Sequence, residues 1–181
     1  ANMCWIPVGA RNAAEENHYL LDAFDCEVLF FQKYFAAVIA ELKPRLPKVK
    51  LWVCIDGEPS EIPDAVTLEN WLAGQPISKP NVAVELDDVV MLSATGGTTG
   101  LPKGCMHTHA SVMHNAVASG IWGNGTPENV ILPVVPMFHI TGMVSVMHTT
   151  LLAGATLVIM PRWDRELAGR LISRWKVTHW T

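Results

Sequence analysis

The sequence predicts an α/β fold, with mostly parallel sheets carrying helices on both faces, and three observations point to it. First, short continuous apolar runs such as residues 26–31 (CEVLFF) and 50–55 (KLWVCI) have the length and composition of strands covered on both sides. Second, segments with helical spacing alternate with those runs through most of the chain, the order that builds parallel sheets with crossover helices. Third, half of the 181 residues are hydrophobic and 17% are charged, enough to bury a core in one large domain or two small ones.

The elements follow in order. The opening residues, ANMCWIPVGA, read as the tail of a strand rather than a signal peptide, because no charged segment or cleavage pattern accompanies them. Residues 12–22 read as a helix, with Asn12 at the capping position, acids in the first turn and an apolar end. Residues 26–31 are a strand, residues 34–42 a helix stopped by Pro44 and Pro47, and residues 50–55 a second buried strand. From 56 to 88 glycines and prolines interrupt the pattern, leaving a helical turn or two at 68–72, so this stretch is the expected linker. That divides the chain into residues 1–85, a first α/β subdomain with linker, and 86–181, a second subdomain.

In the second part a strand at 89–93 leads through a Gly/Thr-rich loop to a helix at about 111–121, whose apolar residues Met113, Val117 and Ile121 recur every four positions. Then come a strand at 130–135, a buried helix at 142–152, a strand at 155–160 and an amphipathic helix at 165–175.

Composition excludes several functions. A net charge of −4 leaves no basic footprint for nucleic acid or an anionic membrane. No apolar stretch approaches the roughly 20 residues of a membrane span. The cysteines at 4, 26, 54 and 105 form no CxxC pair, so neither a zinc knuckle nor a disulfide framework is suggested, and a reducing, cytoplasmic setting is expected. Small-molecule chemistry remains.

The most informative stretch is 95–104, TGGTTGLPKG. Three glycines within six positions let backbone N–H groups turn inward into a nest for phosphate oxygens; Thr95, Thr98 and Thr99 add hydroxyls, and Lys103 adds a compact cation. A P-loop needs Gly-Lys followed by Ser or Thr, whereas Lys103 follows Pro102 and precedes Gly104. Glycines at 96, 97, 100 and 104 also lack the GxGxxG spacing of a dinucleotide site. A plain surface loop is the competing reading.

The ten-residue string resembles the signature of the adenylate-forming superfamily, which includes acyl-CoA synthetases, luciferases and peptide-synthetase adenylation domains. Residues 6–21, PMFHITGM at 136–143 and GATLVIMPRWD at 154–164 resemble further motifs of that superfamily in the same order and spacing. Gly96 departs from the pattern, standing where a Ser is frequent.

The resemblance implies a partial N-terminal domain of an enzyme that activates a carboxylic acid, most like fatty-acid–CoA ligases. Carboxylate attack on the α-phosphate of MgATP would give an acyl-adenylate and pyrophosphate, followed by transfer to the thiol of coenzyme A. It assigns Thr95, Gly96, Gly97, Thr98, Thr99, Gly100 and Lys103 to the ATP phosphates, and His139 with Phe138 and Gly142 to the acyl-adenylate pocket. The superfamily's adenine, ribose and magnesium motifs and its catalytic lysine have no counterpart here, so no complete catalytic set and no metal site is assigned, and the chain alone is expected to be inactive. A homo-oligomer is left open. Two alternatives stand beside this reading: a non-catalytic nucleotide-binding relative, and an adenylating enzyme whose acceptor is a carrier-protein thiol. A zinc site at His107, His109 and His114 is disfavoured because no Asp or Glu accompanies them. Trp163, Trp175 and Trp180 read as core or interface anchors.

Overall fold

The structure is a computed structural model and describes residues 3–96 and 100–180. The chain forms two compact units, Ala1–Ala83 with Ala94–Gly104, and Val84–Ser93 with Cys105–Thr181.

The first unit contains helix α1 (Ala14–Ala23), strand β1 (Val28–Phe31), helix α2 (Ala36–Leu42), strands β2 (Leu51–Cys54) and β3 (Val66–Thr67) and the short helix α3 (Leu68–Leu72). β1, β2 and β3 form a parallel sheet in that order, with Val28 paired to Leu51 and Val53 to Val66. Phe31, Trp52 and Cys54 from the sheet bury against Leu21 of α1 and Ile39 and Leu42 of α2. The expected opening strand is absent: residues 3–13 contain only an isolated bridge at Trp5. Asn12 is not the cap either; its N–H closes a turn on the Gly9 carbonyl, and α1 starts from Ala13 without a side-chain cap. Stability for α1 comes instead from outside the helix. Arg45 grips both carboxylate oxygens of Glu15 at 2.6 and 2.8 Å, and Lys48 bridges Asp22 and Asp25. The guanidinium holds the Glu15 carboxyl below its usual range.

Strand β4 (Val89–Thr95) pairs with β5 (Lys103–Thr108), the segment Ala94–Gly104 counting with the first unit, and helix α4 (His109–Trp122) follows. Thr108 caps α4, its hydroxyl accepting from the Ser111 N–H at 3.2 Å. Strands β6 (Val130–Leu132), β7 (Thr156–Leu157) and β8 (His179–Trp180) form a parallel sheet in the order β7-β6-β8. Between β6 and β7 lie a π-helix (Thr141–His148) and helix α5 (Thr149–Leu152); helix α6 (Arg165–Trp175) precedes β8. Asp164 caps α6 by accepting from the Leu167 N–H at 2.6 Å.

Several expectations are corrected. The strand expected at 130–135 stops at Leu132 because Pro133 has no N–H to give the ladder. The strand expected at 155–160 shrinks to two residues, with Pro161 beyond it. The helix at 142–152 is wound as a π-helix over most of its length. Met113, Val117 and Ile121 are exposed, whereas Val112 and Ala116, one position earlier, face the core. Trp163, Trp175 and Trp180 are also exposed and are not core residues; Trp163 and Trp180 meet edge to face at 6.0 Å. Among the described residues no helix is long and apolar enough to cross a membrane.

Candidate functional site

The Gly/Thr-rich loop joins β4 to β5. Thr95 ends β4, Lys103 opens β5, and the Thr95 hydroxyl donates to the Lys103 carbonyl at 3.2 Å, tying the loop's two limbs together. Gly97, Thr98 and Thr99 lie outside the described residues. Gly96 and Gly100 are exposed, and Gly96 does not have the left-handed backbone that favours glycine. Among the described residues, a Cβ built on either would meet nothing within 4 Å, so the described part of the fold leaves open space beside both glycines. Lys103 is exposed and forms no salt bridge among the described residues, so its charge is uncommitted.

The limb leaving the loop is held from a distant part of the chain. The hydroxyl of Tyr19, on α1, donates to the Pro102 carbonyl at 3.1 Å in a partly buried setting. The ring of Phe24, just past α1, packs so closely on Gly104 that a Cβ there would lie 3.0 Å from two of its carbons. Sequence reasoning missed both residues. Tyr19 and Pro102 are 83 positions apart, and nothing in the local pattern of residues 12–22 distinguishes Tyr19 from an ordinary helix-packing residue.

The acyl-pocket candidates form a separate group in the second unit. The His139 N–H donates to the Pro136 carbonyl at 3.0 Å and the His139 carbonyl accepts from the Met143 N–H at 3.0 Å, so the segment is a closed turn running into the π-helix. Gly142 is obligatory: a Cβ there would run into the Pro136 carbonyl oxygen and lie 2.9 Å from its carbon. The side chain of His139 is exposed, and its Nδ1 accepts from the Thr141 N–H at 3.2 Å. With Nδ1 accepting, the Nε2 edge of the ring is left to meet an oxygen acceptor. Phe138 beside it is 41% exposed, an apolar surface next to a hydrogen-bond donor. π-Helical winding is rare and concentrates at functional sites, and here it begins two residues after His139. At its other end burial holds the His148 imidazole below its usual range.

The remaining candidates resolve differently. His107 places Nε2 2.8 Å from the Ser93 hydroxyl, a bond across β4 and β5, while His109 opens α4. Among the described residues no three His, Cys, Asp or Glu side chains converge as metal ligands. All four cysteines are free thiols, Cys26 and Cys54 buried, Cys4 and Cys105 exposed. A cavity of about 130 Å³ in the second unit is lined by residues including Ser119, Gly120, Asn129, Ser145 and Thr149, well below the roughly 300–1,000 Å³ of small-molecule pockets.

4-Coumarate–CoA ligase 2 of Petroselinum crispum is 34% identical over 131 residues, 70% of this chain and 23% of that protein. 4-Coumarate–CoA ligase 1 of Arabidopsis thaliana is 43% identical over 103 residues, covering 54% of this chain and 18% of that protein. The chain thus spans less than a quarter of the length of these curated relatives. Its fold matches that of a long-chain-fatty-acid–CoA ligase from Archaeoglobus fulgidus with a TM-score of 0.87 at 22% identity, over 97% of this chain and 34% of that one. The model of the AMP-binding enzyme family matches residues 1–181, and the chain belongs to that family.

Proposed function

We propose that this chain supplies the ATP-phosphate grip and one wall of the acid site in a larger AMP-forming ligase that joins a carboxylic acid to coenzyme A. The observation that carries the proposal is the loop at 95–104: Gly96 and Gly100 face open space among the described residues, its limbs are tied together by Thr95, and Lys103 offers a cation with no ion pair among the described residues. An anion attacking a polyphosphate needs such a device. Amide and hydroxyl donors and a lysine can offset the charge that gathers on departing pyrophosphate.

In the reaction, the acid's carboxylate oxygen bonds to the α-phosphorus of MgATP and the bond to the β-phosphate oxygen breaks, releasing pyrophosphate. The thiol sulfur of coenzyme A then attacks the acyl carbon and AMP departs with the bonding electrons. The loop residues Thr95, Gly96, Gly97, Thr98, Thr99, Gly100 and Lys103 take the first step's phosphates. His139, through its Nε2 edge, and Phe138 face the acid, and Gly142 sets their turn. The loop at 95–104 contains no carboxylate, so this segment would hold the phosphates of MgATP and leave the metal to other ligands.

The acid is best described as one with an apolar body. A fatty acid is one arm of the proposal and an aromatic acid the other, since relatives at 34% identity are 4-coumarate–CoA ligases. The test is acid-dependent ATP–pyrophosphate exchange by the full-length protein with 4-coumarate, benzoates and medium- and long-chain fatty acids. Exchange with one class establishes adenylation and names the acid; no exchange with any of them overturns the function. Lys103→Ala should weaken exchange, and Gly97→Val should weaken it more, because backbone donors dominate the grip.

A further inference from the structure

We propose that Tyr19 is a positioning residue for ATP, anchoring the limb of the phosphate loop that carries Lys103. The inference rests on the phosphate-binding role of the loop proposed above. Three consecutive residues leaving the loop each have a partner. The Pro102 carbonyl accepts from the Tyr19 hydroxyl at 3.1 Å, the Lys103 carbonyl accepts from the Thr95 hydroxyl at 3.2 Å, and Gly104 lies against the Phe24 ring. The Thr95 bond joins the loop's limbs to each other but to no outside reference. Tyr19 and Phe24 supply that reference, because both belong to α1 and its end.

Helix α1 is itself braced, so an anchor on it is fixed relative to the sheet of its unit. Arg45 holds Glu15 through two nitrogens, His18 Nε2 lies 3.1 Å from the Arg45 carbonyl, and Lys48 donates to the Asp22 carbonyl at 2.8 Å. Leu21 is packed into the core with Phe31 and Trp52. Each exposed ion pair alone is worth little, but they are spread along the helix and act together with the buried packing of Leu21. The rigid path runs from the sheet through α1 and Tyr19 to the peptide immediately before Lys103.

A loop that must meet three phosphate groups gains from this. A lysine on a free limb pays ordering entropy when ATP binds, whereas a limb already held pays it at folding. Tyr19 touches no substrate in this scheme; it acts through Pro102 and Lys103. Its loss should therefore raise the KM for ATP and leave the KM for the acid alone.

The experiment uses the full-length protein, measuring KM for ATP, KM for the acid and melting temperature. Tyr19→Phe keeps the ring and deletes one sheltered hydrogen bond, and should raise the KM for ATP roughly two- to ten-fold. The acid KM and melting temperature should hardly move. A lowered melting temperature with unchanged KM for ATP would mean a structural tyrosine and overturn the proposal. Lys103→Ala is measured in parallel. If it raises the KM for ATP while Tyr19→Phe does not, the anchor fails and the phosphate role of the loop survives; if neither changes it, both fall. Gly104→Ala gives an independent arm, because its Cβ would push against Phe24. The KM for ATP should rise in that variant and recover in Gly104→Ala/Phe24→Leu, and no recovery would overturn anchoring by α1.

Discussion

The glycines at 96 and 100 and the glycine at 142 look alike in sequence, each lying in a motif of the same family, yet the structure treats them oppositely. Among the described residues there is open space beside Gly96 and Gly100, and Gly96 does not have the left-handed backbone that favours glycine. At Gly142 the Pro136 carbonyl occupies the place where a side chain would begin. Among the described residues nothing crowds the first pair, whereas the second is dictated by its neighbour. A glycine that the fold does not need is informative about a ligand; one that the fold cannot replace is informative about the turn it closes, and here that turn holds His139 through the Pro136 carbonyl.

The sharpest way to break this contrast is Gly142→Ala. Overlap with a backbone carbonyl cannot be relieved by a rotamer change, so the turn must open, at a cost of roughly 3 kcal/mol. A thermal melt of the full-length protein should show the loss; a variant that melts with the wild type would remove the distinction between the two kinds of glycine.

Smaller, and located on the loop's side, is the effect of Thr108→Ala. Its hydroxyl caps α4 directly after β5, and losing that bond should cost about 1 kcal/mol. If the loop's function depends on its own limb and on α1 rather than on α4, the KM for ATP should stay constant. A change in ATP use as large as that of Lys103→Ala would show that support for the loop also runs through α4.

How much of this was legible in the sequence depended on where each signal was stored. Helix α6 was read with its bounds intact because its amphipathic pattern lies within the segment itself. The face of α4 was misread: its apolar residues at 113, 117 and 121 are as regular as those at 112 and 116, and periodicity cannot say which row the rest of the molecule covers. Trp122, at 90% exposure, shows the same gap between hydrophobic character and burial. The Gly/Thr-rich loop was visible because its residues are contiguous. Its anchor on Tyr19 was not, because a hydrogen bond to a proline carbonyl across 83 residues leaves no composition or spacing to read.

His139→Ala comes next in order of stability effect, since it deletes only one exposed hydrogen bond, from the Thr141 N–H, worth about 0.5 kcal/mol. Its functional effect should be selective. With the Nε2 edge gone, the apparent affinity for the acid or the turnover should change while the KM for ATP holds. Unchanged kinetics with every acid tested would remove His139 from the site and leave it a turn residue, on the same footing as Gly142.

Gly96→Ala should have a comparably small effect on stability, of opposite sign. Its Cβ meets no neighbour, its backbone is not left-handed, and alanine restricts the unfolded chain, so the substitution should stabilise by about 0.4–1 kcal/mol. ATP use should nevertheless fall, because the new methyl stands in the space through which a phosphate would approach the backbone. A protein that melts slightly higher while its KM for ATP rises would separate the demands of ligand and fold at a single atom. If stability and ATP use both hold, the open space beside Gly96 is solvent only, and the phosphate grip must lie on the other residues of the loop.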